Sequence, residues 1–199
     1  MAILNGYATL VQVKAALRIT DSTDDALLEQ AIESASRRID GYCGRFFYQT
    51  IATVVQIRAT EFSTQLVKDI SDTTVIVKSQ NDGTGTFATT WLQGTDYMLE
   101  PLDASIVGVP YTAITAIGGK VFTASVPNAP PTLQVSALWG WAAVPSDVRE
   151  ACVLLSMRQF ARLNAALGVV GFADMAVTVR AVDPDVRDLL NPYRLIGLA

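Results

Sequence analysis

The chain has 199 residues, half of them hydrophobic and only 17% charged, which suffices for one sizeable domain or two small ones and hints at surface buried against partners. Its formal net charge is −4, with 15 basic residues scattered along it, so a phosphate-neutralising nucleic-acid face is not expected. It has no histidine and two cysteines, Cys43 and Cys152, which excludes Ser-His-Asp and Cys-His catalysis, Cys/His zinc sites and a disulfide scaffold.

The first part of the chain reads as helical. Thr9 and Gln12 have the spacing of a capping box, predicting a short helix over about residues 10–17. The polar turn "ITDSTDD" offers Ser22, Thr23 or Asp24 as caps for a second helix, expected over about residues 24–43. Leu28, Ile32, Ala35, Ile39 and Tyr42 recur at steps of four and three and should form its apolar face. Gly44 stands where a left-handed cap belongs.

From about residue 50 threonine, valine and isoleucine become frequent. Six stretches read as strands: "IATVVQIRA", "TTVIVKS", "GTFATTWL", "DYMLE", "TAITAI" and "TLQVSALW". "NDGTG" between the second and third reads as a tight turn. Short strands at this spacing suggest an antiparallel sandwich or small barrel.

Beyond Val144 the pattern is helical again. Pro145, Asp147 and Glu150 suit a helix start. A helix should run to about Leu167, with Val148, Ala151, Cys152, Leu155, Phe160 and Leu163 along a wide apolar side. "MAVTVRAV" reads as extended. Asp183 and Pro184 should open a short helix that Asn191-Pro192 ends, leaving the apolar tail "YRLIGLA". The expected fold is α+β: a helical bundle from residues 1–49 and 142–199, with an antiparallel β-rich domain, 50–141, inserted within it. The start of the chain lacks a basic and apolar leader pattern, and no apolar run is long enough for a membrane span, so a reduced, cytoplasmic setting without a membrane partner is expected.

Chemistry-bearing patterns are sparse. Phosphate-binding glycine motifs are absent. Asp21, Asp24 and Asp25 lack the calcium-loop alternation and suit helix capping instead. No catalytic, cofactor or metal residue is assigned. Cys43, at the negative end of a helix dipole, is read as a buried structural thiol rather than a reactive one, with a Cys43–Cys152 disulfide as the remaining option. Tyr42, Cys43, Gly44 and Phe46 are expected to form the hinge at which the helical domain hands the chain to the β insert.

Three segments carry a resemblance: "YATLVQVKAALRITDSTDDALLEQAIESASRRIDGYCGRFF", "WGWAAVPSDVREACVLLSMRQF" and "DPDVRDLLNPYR". In that order they resemble the head-to-tail connector proteins of tailed bacteriophages, also called adaptor or head-completion proteins. The resemblance implies a structural virion protein, not an enzyme, assembled in the host cytoplasm and sited at the neck. It implies a ring of twelve copies beneath the portal protein, a next neck or tail component (stopper or tail terminator) on the other side, and DNA passing through the lumen unread. Small members of the family are almost wholly helical, so the β insert is expected to be a departure. A portal-docking surface is placed on Asp183, Val186, Arg187, Leu189, Leu190, Pro192, Tyr193 and Arg194; the alternative is that this segment folds back on its own bundle. On the docking reading, a chain cut after Val182 should still fold but no longer attach. The rival function is a carbohydrate- or peptide-binding β domain on a helical scaffold, with Trp91, Trp139, Trp141 and Tyr97 stacking on sugars. A carboxylate-only enzyme is the remote alternative.

Overall fold

A computed structural model describes residues 3–80, 85–124, 129–164 and 184–195, with the side chains of 163 and 164 left out. The chain divides into two compact units: Met1–Tyr48 with Val144–Ala199, and Gln49–Ala143.

In the helical unit, α1 spans Leu10–Leu17 and begins with the anticipated capping box. The Thr9 hydroxyl accepts from the Gln12 N–H, and the Gln12 side chain accepts from the Thr9 N–H. Helix α2 spans Asp25–Cys43. Asp24 holds the N-cap position without a side-chain bond; instead Asp21 accepts from the Thr23 N–H and shapes the turn before it. Leu28, Ile32, Ala35 and Ile39 are buried as the periodicity requires, joined by Ala31, Ser36 and Cys43. Tyr42 is only half-buried, so the buried stripe ends on Cys43 rather than on the tyrosine.

Helix α4, Ser146–Asn164 as far as described, packs on α2. Val148, Ala151, Cys152 and Phe160 are buried and Leu155 half-buried. The crossing is made by small side chains: Ser36 Oγ lies 3.5 Å from Cys152 Sγ. The Ser156 hydroxyl is satisfied by the Cys152 carbonyl at 2.7 Å. Small residues at a crossing let two backbones approach while each hydroxyl finds a local acceptor. Helix α5 is Pro184–Leu190, and a 3-10 turn, Asn191–Tyr193, continues it. The α-helix thus ends directly before Asn191-Pro192, as expected, and the chain leaves it through one 3-10 turn. The expected end of α4 at Leu167, the extended reading of "MAVTVRAV", and Asp183 lie outside the described residues.

The β unit contains two antiparallel sheets. One has four strands in the order β1 (Thr53–Ile57), β7 (Leu133–Ala137), β3 (Ile76–Ser79), β4 (Thr89–Trp91). The other has three, β2 (Thr64–Ile70), β6 (Tyr111–Ala116), β5 (Tyr97–Glu100). All six anticipated strands are present. The seventh, β2, was not read from the sequence, nor was the short helix α3, Ala104–Val107. The sheets are open, so the barrel alternative does not hold. β3 and β4 pair as a hairpin, Val77 opposite Trp91; most of the "NDGTG" stretch between them lies outside the described residues.

Alternation makes the core. The register aligns Val55, Val135, Val77 and Trp91 across the first sheet, and Gln65, Ile114 and Leu99 across the second. Nearly all of these face inward and are buried. The Tyr97 hydroxyl, fully covered, donates to the Val75 carbonyl at 2.7 Å, so a strand of one sheet is bonded to the approach of a strand in the other. Phe122 stacks on Trp91 with ring centroids 4.9 Å apart. The ends of the unit are tied together. Thr50 N–H donates to the Trp139 carbonyl at 2.8 Å, and Trp139 N–H donates back to Thr50 Oγ1 at 3.0 Å. A segment entering and leaving at one place fits between two halves of another unit with little chain distortion.

Candidate assembly interface

Of the residues singled out for docking and for the hinge, Leu190, Tyr193 and Arg194 meet Tyr42, Cys43 and neighbouring Phe47 at the C-terminal end of α2. Gly44 closes that helix at φ +69°, its N–H on the Asp40 carbonyl at 2.8 Å. A side chain at this backbone angle is strained even though the surrounding space is ordinary. Cys43 is fully buried, and its pKa is pushed up to about 11 chiefly by burial, with the Arg45 charge acting against it. Burial also raises the Cys152 thiol. Both cysteines are free, which removes the disulfide option, and neither thiol has the electropositive setting of a nucleophile. Phe46 is half-buried and stacks on Tyr48 at 4.7 Å; the fully buried ring is Phe47.

Phe47 lies edge-on between Tyr7 and Tyr193, each ring centroid 5.7 Å away. Tyr7 organises this end of the unit. Its hydroxyl donates to the Asp40 carboxylate and accepts from the Phe47 N–H at 2.8 Å, while its own N–H donates to Ser36 Oγ at 3.0 Å. Burial raises the Asp40 pKa, with the Tyr7 hydroxyl and then the Arg37 charge opposing it. The Tyr7 hydroxyl is raised by burial first, then by its bond to Asp40. Arg37 lies over the rings of Tyr7 and Tyr48 at 5.6 and 5.4 Å, reaches Asp40 Oδ2 at 3.3 Å, and donates to the Asn5 carbonyl at 2.9 Å. Sequence reasoning gave Tyr7, Arg37 and Asp40 no role. Asp40 stands inside the "IDGYCGR" motif, and a carboxylate on the edge of a buried stripe was the available signal.

The C-terminal segment folds onto the same place. Val186 and Leu190 are buried and Leu189 half-buried. Tyr42 donates to Asn191 Oδ1 at 2.7 Å, Tyr193 donates to Asp147 Oδ2 at 3.2 Å, and Leu195 N–H donates to the Cys43 carbonyl at 2.9 Å. Arg194 lies over the Tyr42 ring at 5.4 Å. Of the docking residues, Arg187, Pro192 and Arg194 remain exposed, and Asp183 is outside the described residues. Cutting the chain after Val182 would strip core side chains from α5, so such a truncation would lower stability as well as remove a surface. Substitution of Arg187, Pro192 or Arg194 is the cleaner probe.

The aromatic residues proposed to stack on sugars are turned inward. Trp91, Trp139, Trp141 and Tyr97 are all buried, and their polar hydrogens are bonded to Ser79, the Thr53 carbonyl, Asp69 and the Val75 carbonyl respectively. They act as core residues with a satisfied polar handle. Among the described residues no three Cys, Asp or Glu side chains converge, and no helix is long and apolar enough to cross a membrane.

Comparison with known proteins agrees with the motifs. Among solved structures the chain is similar to one from the neck of an empty GTA particle computed with C6 symmetry (TM-score 0.61, 16% identity, 100% of this chain and 95% of that one). It is also similar to a chain from the neck of a native GTA particle computed with C12 symmetry (TM-score 0.56, 16% identity, 100% and 94%). A third is from the virion of a native gene transfer agent particle (TM-score 0.51, 18% identity, 100% and 95%). At these identities the likeness is one of fold. It runs through the β unit, so the insert is not a departure from these neck chains. No curated protein matches the chain. Residues 7–102 match the family model for phage gp6-like head-tail connector proteins, and over that span the resemblance drawn from the sequence motifs is borne out.

Proposed function

We propose that this chain is a structural neck subunit of a tailed phage or phage-like gene transfer particle. Copies form a ring that joins the portal at the capsid vertex to the next neck component, a stopper or tail terminator, and DNA passes through the lumen. The carrying observation is the connector-family match over residues 7–102. Whole-chain fold likeness to neck chains of particles computed with C6 and C12 symmetry supports it. The chain's work on this reading is binding, consistent with an apolar, weakly charged composition suited to obligate interfaces. Arg187, Pro192 and Arg194 are the portal-facing candidates left exposed on the folded-back C-terminal segment. The net acidic balance suits a lumen that does not grip phosphate.

Particles lacking this protein test the reading. Filled heads and separate tails that fail to join, with joining restored by added wild-type protein, are the expected result under the electron microscope. Normal joined particles in its absence would refute it.

A further inference from the structure

The β unit carries two unpartnered apolar surfaces that differ in charge. The first is the crossing between β5 and β6, residues 102–109. Leu102, Ile106, Val107 and Val109 are exposed there, Ile106 at 87%. The crossing is rigid. The N–H groups of Ala104, Ile106, Val107, Gly108 and Val109 all donate within the segment 101–109, and Gly108 at φ +77° closes the turn. It thus presents its apolar side chains without being free to fold them away. Its charged side chain is Asp103, and Glu100 precedes it.

The second surface is the outer face of the four-stranded sheet. The pleat sends Val54, Ser136 and Ile76 outward in one row, with Leu92 just beyond β4. Gln56, Gln134, Lys78 and Thr90 form the next row. Val54, Ile76 and Leu92 are all exposed. The four strands contain no acid and one charge, Lys78. Neither Lys78 nor Asp103 forms an ion pair among the described residues.

We infer that the 102–109 crossing of one copy docks on the outer face of the four-stranded sheet of a second copy, Asp103 meeting Lys78. The inference rests on the ring reading above and names a surface for it. A closed ring is built from a head-to-tail contact, which needs two different, complementary patches on each copy. Here a single unit supplies a rigid apolar knob with an acid and an apolar sheet face with a lysine. Opposite charges at the edge of an apolar contact set its register and exclude like-charged pairings.

Charge exchange is the test. Asp103→Lys and Lys78→Glu are each expected to raise the protein concentration for half-assembly about tenfold, and the double variant to restore it toward wild type. Ile106→Glu should impair assembly without rescue. Assembly is read as mass by light scattering, alone and with added portal rings, with thermal melting to confirm the fold. Should either reversal unfold the protein, Asp103→Asn and Lys78→Gln remove the charges more gently. Wild-type rings with unaffected reversals would overturn this surface and leave the ring reading standing. A folded double variant that still fails to assemble would overturn the Asp103–Lys78 pairing. Wild type that forms no ring under either condition would overturn the ring reading and this inference with it.

Discussion

The two units are stabilised in different ways. In the helical unit, residues far apart in sequence are joined through polar groups, buried or half-buried for Tyr7 to Asp40 and Phe47 and for Tyr193 to Asp147, exposed for Tyr42 to Asn191. The β unit depends on register, with inward rows of valine, leucine and tryptophan closing its core. The surfaces differ too. Among the described residues, eleven large apolar side chains stand exposed in the β unit, from Ile51 to Val121, against Leu4, Val11, Leu27 and Leu195 in the helical unit. The described part of the helical unit turns most of its large apolar side chains inward. The β unit, which leaves them outward on rigid elements, has surface to give to partners.

The sharpest way to break this contrast is at the centre of the helical unit. Phe47→Ala should cost about 3–5 kcal/mol in chemical denaturation, because a fully buried ring between two aromatic edges leaves a cavity. A loss below about 1 kcal/mol would mean that this end of the unit is loosely packed. Gly44→Val forces a β-branched side chain to φ +69° and should cost about 2 kcal/mol.

Tyr7→Phe should cost about 1–3 kcal/mol, since it leaves the Phe47 N–H and the Asp40 carboxylate without their shared partner. The pH dependence follows from Asp40. Its raised pKa means that the folded state holds the proton more tightly than the unfolded chain. Its contribution to stability is therefore greatest at acid pH and falls as pH rises through the ordinary aspartate range, about 4, toward the raised value. The stability of wild type relative to Asp40→Asn should decline over that window in paired melting curves. A gap that is flat or widens with pH would contradict the assignment. At the small end, Leu66→Thr or Leu102→Ser in the β unit should change stability by no more than about 0.5 kcal/mol, because both side chains are already exposed. A loss comparable to that of Phe47→Ala would erase the distinction between the units.

Much of this fold was legible because local rules and tertiary packing agree. The α1 capping box and the α2 stripe are set by neighbours three and four residues apart, so periodicity found them. Strand β2 escaped because its alternation is broken. Lys68 and Asp69 fall in its second half, and the register shifts between Leu66 and Ile70. Helix α3 is four residues long, shorter than any periodic signal. At the α2 end, the choice of Gly44 and Cys43 as end-of-helix residues needed only local logic. The partners of Tyr7, Tyr42 and Tyr193 needed the tertiary fold, since a hydroxyl's acceptor 33, 149 or 46 positions away leaves no local mark. For the same reason the sequence could mark "DPDVRDLLNPYR" as apolar and important without showing that Val186 and Leu190 are spent on the subunit's own core.

On the proposed reading this chain works as a ring. The mass of the purified protein, measured by light scattering alone and after mixing with portal rings, tests it most directly. A closed oligomer of fixed copy number, either free or on the portal, is the expected result. A protein that stays monomeric at high concentration and does not change the mass of portal rings would contradict it.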